Sequence, residues 1–72
     1  MSERRKLVKD IYGLRGWAQN ATACIDHLVV GTVFELDEDK HGKPCLRAYG
    51  REYPLDHSLL YEAIQRSDPL PS

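Results

Sequence analysis

The sequence predicts a small α+β domain, with an N-terminal helix, a three-stranded antiparallel meander and a short C-terminal helix. Two patterns lead to this fold class. Before Leu28, apolar residues recur at alternating steps of four and three, as on one face of a helix. From Leu28 to Leu36, β-branched and aromatic residues fall on two faces with a period of two, as in a strand.

The first predicted element is a helix from Glu3 to His27 with Ser2 as its N-cap. Unbroken, it would span about 37 Å at about 1.5 Å per residue, whereas a compact chain of this size is about 29 Å across. The helix therefore protrudes, or it breaks near Gly13–Gly16, where each glycine costs about 1 kcal/mol relative to Ala. The sequence leaves both alternatives open. The apolar stripe consists of Leu7, Ile11, Leu14, Ala18, Ala21, Ile25 and Leu28.

The second predicted element is the meander. Its first strand, Leu28–Leu36, has apolar residues on both faces, which indicates a central or doubly covered strand. The polar segment 37–44 is a loop, and it is too short for a crossover between parallel strands. Strands at Cys45–Tyr49 and Arg51–Tyr53 follow, with Gly50 supplying the positive φ of a tight turn.

The last predicted element is a short amphipathic helix from about His57 to Arg66, with Asp56 as its N-cap. Residues 68–72 contain two prolines and are predicted to be a disordered tail. Residues 1–67 then form one small domain, which is the number of domains that 72 residues allow.

Charge and hydropathy along the chain predict the compartment of the protein and exclude some partners. The formal net charge is −1, so no overall field favours nucleic acid or an anionic membrane. No run approaches the ~20 apolar residues of a membrane-spanning helix. Lys9 and Asp10 interrupt the apolar residues that follow Arg4–Lys6, so the pattern is not that of a secretory signal. We expect a cytoplasmic protein with reduced cysteines and no membrane partner.

No group of residues predicts catalysis. Asp56, His57 and Ser58 are adjacent in the chain and cannot converge on one reacting atom, because triads are assembled from separated positions. We therefore expect a small protein-binding module or regulator that is not an enzyme and has no cofactor. A protruding helix would leave part of its apolar stripe uncovered, so we also expect a homodimer.

The predicted contact residues are aromatic and arginine side chains, because these residue types are enriched among interface hot spots. They would bind an unidentified partner protein. The candidates are Tyr12, Trp17, Arg51 and Tyr53.

Two alternative functions remain open. A basic first helix could contact phosphates and make the chain a nucleic-acid-binding regulator, although the balanced charge opposes it. Its residues would be Arg4, Arg5, Lys6 and Lys9. Alternatively, two Cys–His pairs at short spacing could form a small zinc-binding module. Its ligands would be Cys24, His27, His41 and Cys45.

Overall fold

The computed structural model describes residues 2–71, and most of them form one curled sheet. The sheet has seven antiparallel strands in a half-barrel, accompanied by one short helix. The predicted α+β fold is therefore wrong, since strands occupy the region assigned to the N-terminal helix. Met1 is the first residue of the predicted domain and Ser72 is the last residue of the predicted tail. Both lie outside the described residues.

The strands pair in the order β3-β2-β6-β5-β4-β1-β7. The helix α1 lies between β6 and β7 in the chain. In chain order the elements are β1 Glu3–Leu7, β2 Ile11–Ala18, β3 Ala23–Leu28, β4 Val33–Glu38, β5 Pro44–Ala48, β6 Arg51–Pro54, α1 His57–Gln65 and β7 Ser67–Pro69.

The apolar stripe of the first half arises from turns and a bulge rather than from a helix. Leu7 ends β1 and Ile11 begins β2, so the connecting segment 8–10 produces the first step of four. Gly13 has a φ of +67°, and the β2–β3 register shifts between Ile11 and Leu14. Such a bulge inserts one residue into a strand, which lets two residues three apart face the same side. Ile11 and Leu14 are accordingly both buried.

The single strand predicted from Leu28 to Leu36 is divided by a turn. Leu28 ends β3 and Val33 begins β4. Between them, Gly31 has a φ of +94°, and the Thr32 amide donates to the Val29 carbonyl at 3.1 Å. A glycine in the left-handed conformation within a hydrogen-bonded turn explains the break between the two strands. The β-branched residues on both sides of Gly31 made the segment look like one continuous strand in the sequence.

Two strands and the helix predicted for the second half are confirmed as single elements. Strands β5 and β6 lie where the sequence placed them, and Gly50 has a φ of +71° in the turn between them. Asp56 caps α1, because its carboxylate accepts the Leu59 amide at 2.8 Å. The helix packs on the core through Ala63, which is its buried residue.

Strand β7 occupies the start of the segment assigned to a disordered tail. It pairs with β1, and the Leu70 amide donates to the Arg4 carbonyl at 2.9 Å. The buried Arg5 side chain holds this corner together. Its Nε donates to Ser67 Oγ at 2.7 Å, and its Nη2 donates to the Ser67 carbonyl at 3.0 Å.

One face of the sheet, here called the inner face, encloses the core, and the other, the outer face, is exposed. The extents of the chain are 29 × 24 × 22 Å, so no element protrudes as the predicted long helix would. No helix within residues 2–71 is long and apolar enough to cross a membrane. The core cluster contains Leu7, Ile11, Leu14, Leu28, Phe34, Leu46, Ala48, Tyr53, Leu55 and Ala63.

Candidate functional site

The two edges of the sheet differ in how they are protected. Strand β7 has three residues, includes Pro69 and is followed by Pro71. A short edge strand with proline is a poor template for pairing with another chain. Strand β3 forms the opposite edge with six residues and no proline, and it pairs only with β2. Among the described residues, β3 is therefore the open edge.

The hydrogen-bond pattern shows which residues of β3 direct their backbone N–H and C=O groups away from β2, toward the open side of the edge. The Ala18 amide donates to the Thr22 carbonyl at 2.9 Å. Opposite residues in an antiparallel ladder alternate between bonded and non-bonded pairs. Continuing the register, Cys24 bonds back to β2, whereas Ala23 and Ile25 direct their N–H and C=O groups outward. These outward groups are the ones that an added strand would bond.

An apolar groove lies beside this edge on the outer face. Trp17 is opposite Ala23, and Arg15 is opposite Ile25. The Trp17 side chain is 53% exposed and that of Ile25 is 67% exposed. The groove, called the edge groove below, has a volume of about 720 Å³. It is lined by Arg15, Gly16, Trp17, Ala23, Cys24, Ile25 and Pro54.

Gly16 determines how closely β2 lies against β6. A Cβ atom at this position would be 2.2 Å from the Glu52 carbonyl oxygen and 2.6 Å from Cδ1 of Tyr53. Side chains with a Cβ cannot fit at such distances, so glycine is required for this strand spacing. The tight contact brings Trp17 opposite Glu52 and fixes it on the outer face.

A polar network on the inner side of the edge fixes the position of β3. Asp26 accepts the Tyr53 hydroxyl at 2.6 Å and Arg51 Nη1 at 2.6 Å. The hydrogen bond from Tyr53, followed by those from Cys24 and Arg51, holds the pKa of Asp26 below its ordinary value. Burial and the neighbouring Asp26 carboxylate raise the pKa of Tyr53. The network thus joins β3 to β6 across β2.

The four predicted contact residues do not form one surface, although Trp17 and Arg51 both line a second cavity of about 720 Å³. Trp17 lines the edge groove. Arg51 is engaged by Asp26, and Tyr53 is fully buried with 0% exposure, so Tyr53 cannot contact a partner in this fold. Tyr12 is 66% exposed and stacks on His27 at 4.1 Å between ring centroids.

The basic residues predicted to form one helix face instead alternate along a strand. Arg4 and Lys6 are exposed, Arg5 is buried beneath β7, and Lys9 follows the end of β1. Arg4 also begins a row across the outer face in which charges alternate in sign. A row of alternating charges is not a basic stripe. Its members are Arg4, Glu35, Arg47 and Glu52.

The four predicted zinc ligands do not form a metal site. Cys24 and His27 lie on β3, whereas Cys45 is buried on β5, which is separated from β3 by β2 and β6. His41 is exposed before β5. Within the part of the chain that the structure describes, no group of three or more His, Cys, Asp or Glu residues could hold a metal ion. Burial raises the pKa of the Cys45 thiol, which keeps it protonated.

Arg15, Ala23 and Ile25 were not selected as site residues from the sequence. Ile25 was assigned to the apolar stripe, which a helix would bury. One local signal points to the correct structure. The Asn20 side chain accepts the Thr22 amide at 3.2 Å, a turn that asparagine favours between two strands. Assigning this turn places Trp17 and Ala23 on paired strands.

No protein-family model matches this chain, and no curated protein or solved structure is significantly similar to it. The open β3 edge and the groove beside it are the features from which a function is inferred.

Proposed function

We propose that this chain is a small protein-binding module, without catalytic activity of its own, that presents the β3 edge and the edge groove to a partner protein. The observation that carries the proposal is the exposure of Trp17 and Ile25 beside an unprotected six-residue edge strand. Proteins recognise extended segments at such edges by main-chain hydrogen bonding, and neighbouring pockets supply specificity.

The exposed side chains offer enough apolar surface to contribute to binding. Fully burying a large apolar side chain is worth about 1.5–3 kcal/mol. Because Trp17 and Ile25 are roughly half to two-thirds exposed, covering both would contribute about 2–4 kcal/mol in total. Tryptophan is also among the residue types most enriched at interface hot spots.

The nucleic-acid alternative has less support. Arg5 is used inside the protein, and Arg47 pairs with Asp37 and Glu52 on the outer face. A phosphate backbone is bound by clustered, unneutralised cations. The net charge of −1 gives no compensating field.

Capture from a lysate of the host cell, with and without nuclease, tests the proposal. We expect wild-type chain to retain a defined protein regardless of nuclease. Ile25→Glu and Trp17→Ala should each weaken retention by about tenfold or more, because Ile25 and Trp17 are the large exposed apolar side chains of the edge groove. Tyr61→Ala is the matched control, since Tyr61 is 67% exposed on α1, away from the edge. Circular dichroism confirms that each variant folds.

Two results would contradict the proposal. Retention that survives both groove substitutions would show that the edge groove is not the binding site. Retention that disappears on nuclease treatment would favour nucleic acid as the partner. The predicted homodimer is tested separately by size-exclusion chromatography with light scattering, since the long helix that motivated it is not part of this fold.

A further inference from the structure

We infer that the partner adds an extended strand antiparallel to β3, and that this strand carries an acidic residue two positions before an apolar one. The inference rests on the proposed function and deepens it by naming the chemistry of the partner. It depends on Arg15, on the outward groups of Ala23 and Ile25, and on the space above Ala23.

Arg15 is the charged residue of the edge groove, and no carboxylate lines the groove with it. Within residues 2–71, the ion pairs involve other cationic side chains, and Arg15 forms no ion pair with a carboxylate. The nearest acidic residue along β3, Asp26, is held by Tyr53 and Arg51 on the inner side. An arginine exposed at the wall of an apolar groove attracts a carboxylate from a partner.

Strand geometry determines where that carboxylate lies. A strand added beside β3 would be about 4.8 Å from it, and therefore about 10 Å from β2. The partner residue bonded opposite Ile25 projects onto the outer face, where Ile25 and Arg15 lie side by side. The combined reach of an acidic side chain and Arg15 covers that separation, so this partner residue is assigned as Asp or Glu.

The position two residues later in the partner strand lies opposite Ala23. Ala23 is small and exposed, and Trp17 stands directly behind it on β2. An apolar side chain at this position would extend over Ala23 and pack on the indole ring. The strand pairs of the sheet are antiparallel throughout residues 2–71, and antiparallel pairing is slightly the more stable kind, so the added strand is assigned the same orientation. In that orientation the acidic residue precedes the apolar residue in the partner sequence. The recognised pattern is therefore acidic, any residue, apolar.

A second copy of this chain does not meet these requirements. The residues that β3 presents on the outer face are Ala23, Ile25 and His27, none of which is acidic. Pairing two β3 strands would leave both Arg15 side chains without a carboxylate, because Asp26 points to the inner side. The charge of the groove thus favours a different protein.

Selection of a random peptide library, displayed on phage, against the full chain tests the inference. We expect enriched peptides to share an acidic residue two positions before an apolar one. Synthetic versions should bind wild type about tenfold more tightly than Arg15→Glu, as for loss of one charge-assisted contact. A peptide with lysine at the acidic position should bind Arg15→Glu better than wild type. Lys40→Glu is the matched charge-reversal control, because Lys40 is exposed outside the groove.

Amide hydrogen exchange of the bound chain provides the second readout, and it should show slowed exchange at Ala23 and Ile25. The inference is overturned if no shared pattern is enriched, if the peptides bind Arg15→Glu as well as wild type, or if these two amides are unaffected. A dimer that slows the same amides without peptide would also overturn it. Failure here, combined with lysate capture that depends on Ile25, leaves the proposed function standing. Loss of that dependence refutes the proposed function itself.

Discussion

Replacing Gly16 with alanine distinguishes the sheet from the helix that the apolar stripe predicts. In a helix, Gly16→Ala would raise stability by about 1 kcal/mol. In the sheet, the new Cβ would be 2.2 Å from the Glu52 carbonyl oxygen and 2.6 Å from the Tyr53 ring. One neighbour is backbone and the other is a fully buried ring, so neither can move aside cheaply.

We expect Gly16→Ala to lower the free energy of unfolding by about 3 kcal/mol, at the upper end of overpacking costs. A domain of 72 residues has a stability of about 4–11 kcal/mol, at about 0.05–0.15 kcal/mol per residue. With a urea dependence of about 1 kcal/mol/M, the midpoint would fall by about 3 M. Urea titration followed by far-UV circular dichroism measures this shift.

Gly13→Ala is the control for the effect of adding a methyl group. Gly13 has a φ of +67°, and a Cβ there would meet no atom within 4 Å. The only cost of the substitution is the positive φ, which lowers the free energy of unfolding by about 1 kcal/mol for an alanine. The sheet therefore predicts a large loss at Gly16 and a small loss at Gly13, whereas a helix predicts gains at both. A Gly16→Ala variant as stable as wild type would refute the reasoning.

Three further predictions follow from single contacts. Arg5→Leu should lower the free energy of unfolding by about 2 kcal/mol, because the buried Ser67 carbonyl loses its guanidinium donor and the Ser67 hydroxyl keeps only its bond to the Ala63 carbonyl; thermal unfolding measures this, and an unchanged midpoint contradicts it. Asp56→Ala should cost about 1 kcal/mol by removing the N-cap of α1, whereas Asp56→Ser should retain most of it; equal losses in urea titration would exclude capping as the cause. Because the folded-state pKa of Asp26 is lowered, its contribution to stability is present above about pH 4 and is lost as the pH falls through the folded pKa. Tyr53→Phe should weaken that pH dependence, and melting temperatures below about pH 4 that fall as steeply as in wild type would contradict this.

The second half of the chain could be predicted because its signals are local. Gly50 marks the β5–β6 turn, and Asp56 marks the start of α1. Each acts within a few residues of its own position, so no knowledge of distant contacts is needed. The strands and the helix there follow from these signals, even though the fold class as a whole was wrong.

The first half could not be predicted from periodicity because turns and a bulge imitate a helical stripe. The bulge at Gly13 places Ile11 and Leu14 on the same face, and the segment 8–10 that connects β1 to β2 puts Ile11 four residues after Leu7. Spacing alone does not distinguish these causes from a 3.6-residue period. The positive φ of Gly13 and the close approach at Gly16 are properties of the folded chain.

The candidate site was predicted in part. Trp17 was identified from its residue type and does line the edge groove. Tyr53 was selected on the same basis, but it belongs to the core, because strand alternation directs it inward with Leu46. Residue type alone does not specify a face, and the faces depend on strand register. The role of β3 as an edge depends on the order of all seven strands.

The open β3 edge is tested most directly by amide hydrogen exchange measured residue by residue on the free chain. Cys24 and Asp26 bond back to β2 and should exchange slowly, whereas Ala23 and Ile25 point outward and should exchange fast. This alternation is what an unpaired edge strand predicts. Slow exchange at all four residues would show that the edge is already covered, and fast exchange at all four would show that β3 is not paired with β2.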